Sequence, residues 1–291
     1  MDRSYVVMTD SSADLTAALV EKMGLDVIPL IVNVGDKSFM NYPDEREIAA
    51  HDFYDMLRDG ANAKTSAVNV DTFLNAMSVH LKAGKDILYL GFSSGLSSTY
   101  GASEIAAQEL REAYPGRKLL TVDTLCASMG QGLLVYLTMQ KVLAGATIEE
   151  AAAYAEENRL HLCHWFTVDD LFFLKRGGRV SAATALVGSA LGIKPVLHVD
   201  NEGHLINISK ARGRKNSILA LADRMAQSAI DPAKQTVFIS HGDCLADAEF
   251  LADEIRKRFG VSDITINTIG PVIGAHSGPG TLALFFLGTE R

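Results

Sequence analysis

"ILYLGFSSGLSSTYGAS", residues 87–103, is the stretch on which the fold turns. An apolar run, Ile87 to Phe92, gives way to small residues and then to a segment able to continue as a helix. That is a strand, a tight turn and a helix start, the repeating unit of a parallel α/β sheet. The turn also contains Gly91-Phe92-Ser93-Ser94-Gly95, which fits the G-x-S-x-G pattern of a hydrolase nucleophile elbow. Ser93 is therefore either a nucleophile or one of several hydroxyls that hold a ligand.

Working outward, "YVVMT" (Tyr5 to Thr9), "VIPLIVNV" (Val27 to Val34) and "KLLTV" (Lys118 to Val122) read as further strands. A polar segment, Gly35 to Gly60, precedes a helix in which Phe73, Ala76, Met77, His80 and Leu81 share one face. Beyond "IEEAAAYAEENRLHL" the pattern changes. "WFTV", "KPVLHV", "HLINISK", "TVFIS", "DITINTIG" and "TLALFFLG" are strand-like, with Asp200-Asn201-Glu202-Gly203 as a hairpin loop, and "LADAEFLADEIRKRFG" is an amphipathic helix. The expected architecture is α/β in two domains: residues 1–160 with a parallel, Rossmann-like sheet, and residues 161–291 with an antiparallel or mixed sheet.

The 291 residues carry 27 Lys+Arg against 35 Asp+Glu, a net charge of -8 without a concentrated basic run, which argues against nucleic acid as a partner. Cys126, Cys163 and Cys244 are far apart and lack metal-ligand spacing, so neither a disulfide nor a metal site is expected. The start lacks the pattern of a signal peptide, and "AATALVGSALGI" (Ala182 to Ile193) falls short of the roughly 20 residues that span a bilayer. A cytoplasmic protein with at most peripheral or transient membrane contact is expected.

Ligands of parallel α/β sheets bind where strand ends lead into helix N-termini. The candidates there are Thr9-Asp10-Ser11-Ser12, Lys64-Thr65-Ser66, Ser93-Ser94-Gly95 and Asp123-Thr124. Each suits a helix cap, but their convergence on one sheet edge makes an anion site, and a carboxylate fits it well. Phosphate stays open, although no phosphate-loop or dinucleotide fingerprint is present. A serine hydrolase would use Ser93 with Asp243 and then His276, in chain order. His276 is read in a glycine-rich loop, beside Gly274, Gly278 and Gly280.

"TDSSADL" (Thr9 to Leu15), "KTS" (Lys64 to Ser66), "SSGLSSTY" (Ser93 to Tyr100), "VDTLCASMGQG" (Val122 to Gly132), "VDDLFFLKRGGRVS" (Val168 to Ser181), "GIKPVL" (Gly192 to Leu197) and "IGPVIGAHSGPG" (Ile269 to Gly280) together resemble the DegV family of bacterial fatty-acid-binding proteins. The resemblance implies one long-chain fatty acid in a buried tunnel between two domains, its carboxylate held by Thr65, Ser66, Ser93, Ser94 and His276. It further implies a carrier without catalytic residues or cofactor, which presents the carboxylate to a partner fatty acid kinase for acyl-phosphate formation. Arg212, in "SKARGRK", matches an arginine that engages such a kinase. "FFL" (Phe172 to Leu174) and Ala182 to Ile193 are candidate tunnel walls. Two departures from the family pattern occur: Ser98 replaces a glycine, and Ala67-Val68 replaces Gln-Pro. A serine esterase and a regulatory lipid sensor are the alternatives.

Overall fold

The computed structural model describes residues 4–181 and 192–291. Strands β1 (Tyr5–Asp10), β2 (Asp26–Ile28), β6 (Asp86–Gly91) and β7 (Leu119–Asp123) form a parallel sheet in the order β2-β1-β6-β7. Helices α3 (Val70–Lys82) and α4 (Thr99–Ala113) bracket β6, as its flanking pattern requires. Phe73, Met77 and Leu81 of α3 are buried and Ala76 and His80 flank them. Asn69 caps that helix through a 2.8 Å bond from the Thr72 N–H to its side chain.

The run Val27 to Val34 is not one strand. Pro29 has no N–H to give a ladder, and the Leu30 N–H donates instead to Ser11 Oγ at 2.9 Å. The chain leaves the parallel sheet there, and β3 (Ile31–Val34) joins β4 (Lys37–Met40) and β5 (Ala63–Ser66) in a small antiparallel sheet. The polar segment thus holds a strand, and also helix α2 (Ala50–Arg58), whose Ala50, Phe53, Tyr54 and Leu57 are buried at helical spacing.

The strands after residue 160 are β8 (Leu162–Thr167), β9 (Ile193–Val199), β10 (Leu205–Arg212), β11 (Val237–His241), β12 (Ile264–Thr268) and β13 (Leu282–Leu287). They form a six-stranded mixed sheet in the order β10-β9-β8-β13-β11-β12, antiparallel throughout except for the parallel β11–β12 pair. The final strand lies in its centre. Helices α8 (Arg214–Ser228) and α9 (Leu245–Phe259) cover one face, and Ala248, Leu251, Ala252 and Ile255 are buried as the sequence pattern requires.

Helix α5 (Met129–Leu143) is buried nearly all round, between β6 and the strands β8, β11 and β13. Its buried apolar residues belong to one cluster running from Tyr5 and Val7 to Phe238 and Phe285, so both large sheets share this core. Gly130 permits the approach, because a Cβ there would lie 2.1 Å from His164 Nε2.

Candidate functional site

A cavity of about 310 Å³ is walled by the turn after β6, by β5, by helix α10 (Pro271–Ser277) and by the inner face of the six-stranded sheet. Its volume lies at the lower end of the roughly 300–1,000 Å³ of small-molecule pockets. Burial gives it a direction. Ser66 and Ser98 are exposed at one end, Thr65, Ser97 and His276 are half-buried behind them, and Phe166, Ser240, Ala283 and Phe285 are buried.

The polar end is assembled from three elements. Register places Thr65 of β5 opposite Val32, and its Oγ1 lies 2.7 Å from His276 Nε2. His276 stands in helix α10 rather than in a loop. Pro271 opens that helix at a position where no backbone N–H is needed, and Gly274 lies so close to Tyr54 that a Cβ would meet its hydroxyl at 2.5 Å. Burial, then the charges of Arg179 and Arg176, lower the His276 pKa to about 4. The ring is therefore neutral at neutral pH, with one N–H and one lone pair, and its buried Nδ1 has no partner among the described residues.

Ser97 Oγ accepts from the Thr99 N–H at 3.2 Å and lies 2.9 Å from Thr99 Oγ1, which in turn accepts from the Val68 N–H at 3.3 Å. These bonds tie the start of α4 to the segment after β5. Arg179 also lines the cavity, half-buried, and no carboxylate pairs with it among the described residues. The sequence reading had no means of selecting it from the several basic residues of its motif.

Ser93 and Ser94 lie outside the cavity lining. The Ser93 hydroxyl donates to the Gly203 carbonyl at 2.9 Å and accepts from the Gly95 N–H at 3.2 Å, so it fastens the turn to the β9–β10 hairpin. Ser94 is exposed, and its N–H donates to Asp123. The residues of the hydrolase order are dispersed as well. Asp243 bonds Arg58 at 2.5 Å and His51 at 3.0 Å, while His276 bonds Thr65, so Ser93, Asp243 and His276 form no relay. Arg212 is exposed at the end of β10, whereas Arg214 is paired with Asp247. Leu174 lines the cavity, Phe172 is exposed, and Ala182 to Leu191 lie outside the described residues.

A family model described as "uncharacterised protein, DegV family" matches residues 4–289. The chain belongs to the DegV family. It is 46% identical over 289 residues to a DegV domain-containing protein of Clostridium perfringens, with 99% of each chain covered. Among solved structures it resembles a DegV lipid-binding protein from Thermotoga maritima, with 31% identity, a TM-score of 0.85 and coverage of 99% and 100% of the two chains. It also resembles a fatty-acid-binding DegV family protein from Thermus thermophilus, with 29% identity, a TM-score of 0.86 and coverage of 98% and 100%.

Deeper in the cavity of this DegV protein, Ser128 Oγ donates to Asp14 Oδ2 at 2.6 Å and lies 3.1 Å from Ser240 Oγ. Asp14 also accepts from the Gly270 N–H at 3.0 Å, and its carbonyl accepts from the Asn267 amide at 2.8 Å. Burial outweighs these bonds and pushes the Asp14 carboxyl up to about 7. No described helix is long and apolar enough to cross a membrane.

Proposed function

We propose that this DegV protein binds one long-chain fatty acid, tail inward, with its carboxylate at the polar mouth. The observation that carries the reading is the Thr65–His276 pair, with its neutral imidazole, at the mouth of a largely apolar cavity. Ser97 and the exposed Ser66 and Ser98 supply hydroxyl donors, and the Thr65–His276 pair supplies one further proton, the Thr65 hydroxyl when the ring N–H is spent on Thr65 or the ring N–H when Thr65 donates to the ring. The N-terminus of the 15-residue helix α4 and Arg179, which no carboxylate neutralises among the described residues, add positive potential. Phe92, Leu96, Phe166, Leu174 and Phe285 line the path for the tail. Ser93 and Ser94 serve by holding the turn.

Each buried methylene contributes roughly 0.8 kcal/mol, so ten supply on the order of 8 kcal/mol before ordering costs. A hydrogen bond to the carboxylate is worth about 1.5–3 kcal/mol. The tail therefore sets affinity and the mouth sets direction. A carboxylate held at the surface end is presented outward, which suits phosphorylation by a partner kinase docked near the exposed Arg212.

Native mass spectrometry of the purified protein, followed by denaturation and identification of what leaves it, tests the reading. One stoichiometric fatty acid is expected. An empty protein that also fails to take up added fatty acid would overturn it.

A further inference from the structure

Two hydroxyls in the cavity wall have hydrogen-bonding capacity left over. Ser277, the last residue of α10, is buried with its Oγ unpartnered among the described residues, although its carbonyl accepts from Thr281 Oγ1 at 2.9 Å. Ser240, on β11, is fully buried, and among the described residues its Oγ bonds only Ser128 Oγ. With Asp14 ionised, the Ser128 proton is committed to Asp14 at 2.6 Å, so Ser240 must donate to Ser128 and keeps free acceptor lone pairs. With Asp14 protonated the relay reverses and Ser240 keeps a free proton instead. Either way one half of its capacity is open.

Ile269, Val272, Ala283 and Phe285 line the same cavity, Ala283 as the register partner of Ser240. An unsubstituted methylene chain laid along them would exclude water and leave Ser277 unsatisfied, which is penalised more heavily than a made bond is rewarded. A hydroxyl on the chain offers both a donor and an acceptor. We propose that Ser277 and Ser240 select an acyl chain bearing a hydroxyl part-way along its length, in preference to the plain hydrocarbon chain. The inference rests on the fatty-acid reading and deepens it.

The test is titration of delipidated protein with octadecanoic acid and with a positional series of monohydroxyoctadecanoic acids, on the wild type and on Ser277→Ala and Ser240→Ala. For the wild type, one isomer is expected to bind about tenfold more tightly than the plain acid, as one added hydrogen bond allows. Each variant is expected to bring that ratio close to one through weaker binding of the hydroxy acid. No preferred isomer, or a preference that survives both substitutions, overturns the inference and leaves the fatty-acid reading standing. An equal loss for both acids in Ser277→Ala places that residue in the carboxylate site and likewise overturns it. Failure of every acid to bind the wild type overturns both readings.

Discussion

Thr65 and His276 are 211 positions apart in sequence and 2.7 Å apart in the fold. No spacing rule could have joined them, and it was motif resemblance that placed both at one carboxylate. Among the serines the sequence was less informative. "SSGLSST" offers four, and which of them face a ligand depends on turn geometry that composition does not encode. Ser97→Ala and Thr65→Ala are each expected to weaken fatty-acid binding by roughly 1–3 kcal/mol in calorimetric titration, whereas Ser94→Ala leaves it unchanged. A loss in Ser94→Ala equal to that in Ser97→Ala would return the head group to the first pair of serines. Asp14 carries a separate pH signature. Its carboxyl titrates at about 7 in the fold against an ordinary 3.8, so the native state holds the extra proton between those values. The stability this adds is full below about 3.8 and is lost as pH rises through about 7. His276, neutral in the fold above about 4 but ordinarily titrating at 6.5, costs stability as pH falls from about 6.5 to about 4, and this term is common to both proteins and cancels in the comparison with Asp14→Asn. Denaturant unfolding between pH 6 and pH 8 should show the wild type losing about 1 kcal/mol more than Asp14→Asn.

At the scale of elements, the parallel strands β1, β6 and β7 were legible because each is an apolar run ending in a turn of hydroxyl or Asx residues. Val27 to Val34 misled because its hydrophobicity is continuous across Pro29, although the proline marks the place where the backbone must leave the ladder. Helix α10 was hidden by its own glycines. Gly274 reads as loop in a lone sequence, yet it is the side chain of Tyr54 that requires a glycine there. Gly101, in α4, has open space where a Cβ would stand. The two therefore respond with opposite sign. Gly274→Ala is expected to lower stability by roughly 1–3 kcal/mol through overpacking and to weaken fatty-acid binding by displacing His276. Gly101→Ala is expected to raise stability by about 0.5–1 kcal/mol. Thermal unfolding of both variants checks the pair, and equal effects would contradict the packing described for α10.

For the whole molecule, the core shared by both sheets makes separate unfolding of the two halves unfavourable, because parting them would expose α5. Arg291 adds a polar tie. Its guanidinium donates to the carbonyls of Leu162, Asp200 and Arg159, joining the chain after α6 (Ile148–Asn158) to strand β8 and the end of β9. Arg291→Ala should cost about 1.5–3 kcal/mol in urea unfolding while the transition remains single. A transition that splits in two would show that this arginine, rather than the common core, couples the halves. The graded burial of the cavity lining, exposed at Ser66 and Ser98 and buried at Phe285, bears finally on time rather than on strength. On the fatty-acid reading proposed above, release draws the whole tail past the mouth, so each added methylene at roughly 0.8 kcal/mol lengthens residence about fourfold. Chemistry at the carboxylate, as proposed for a partner kinase, needs no such withdrawal, so on that reading a long-chain cargo is modified faster than it is exchanged.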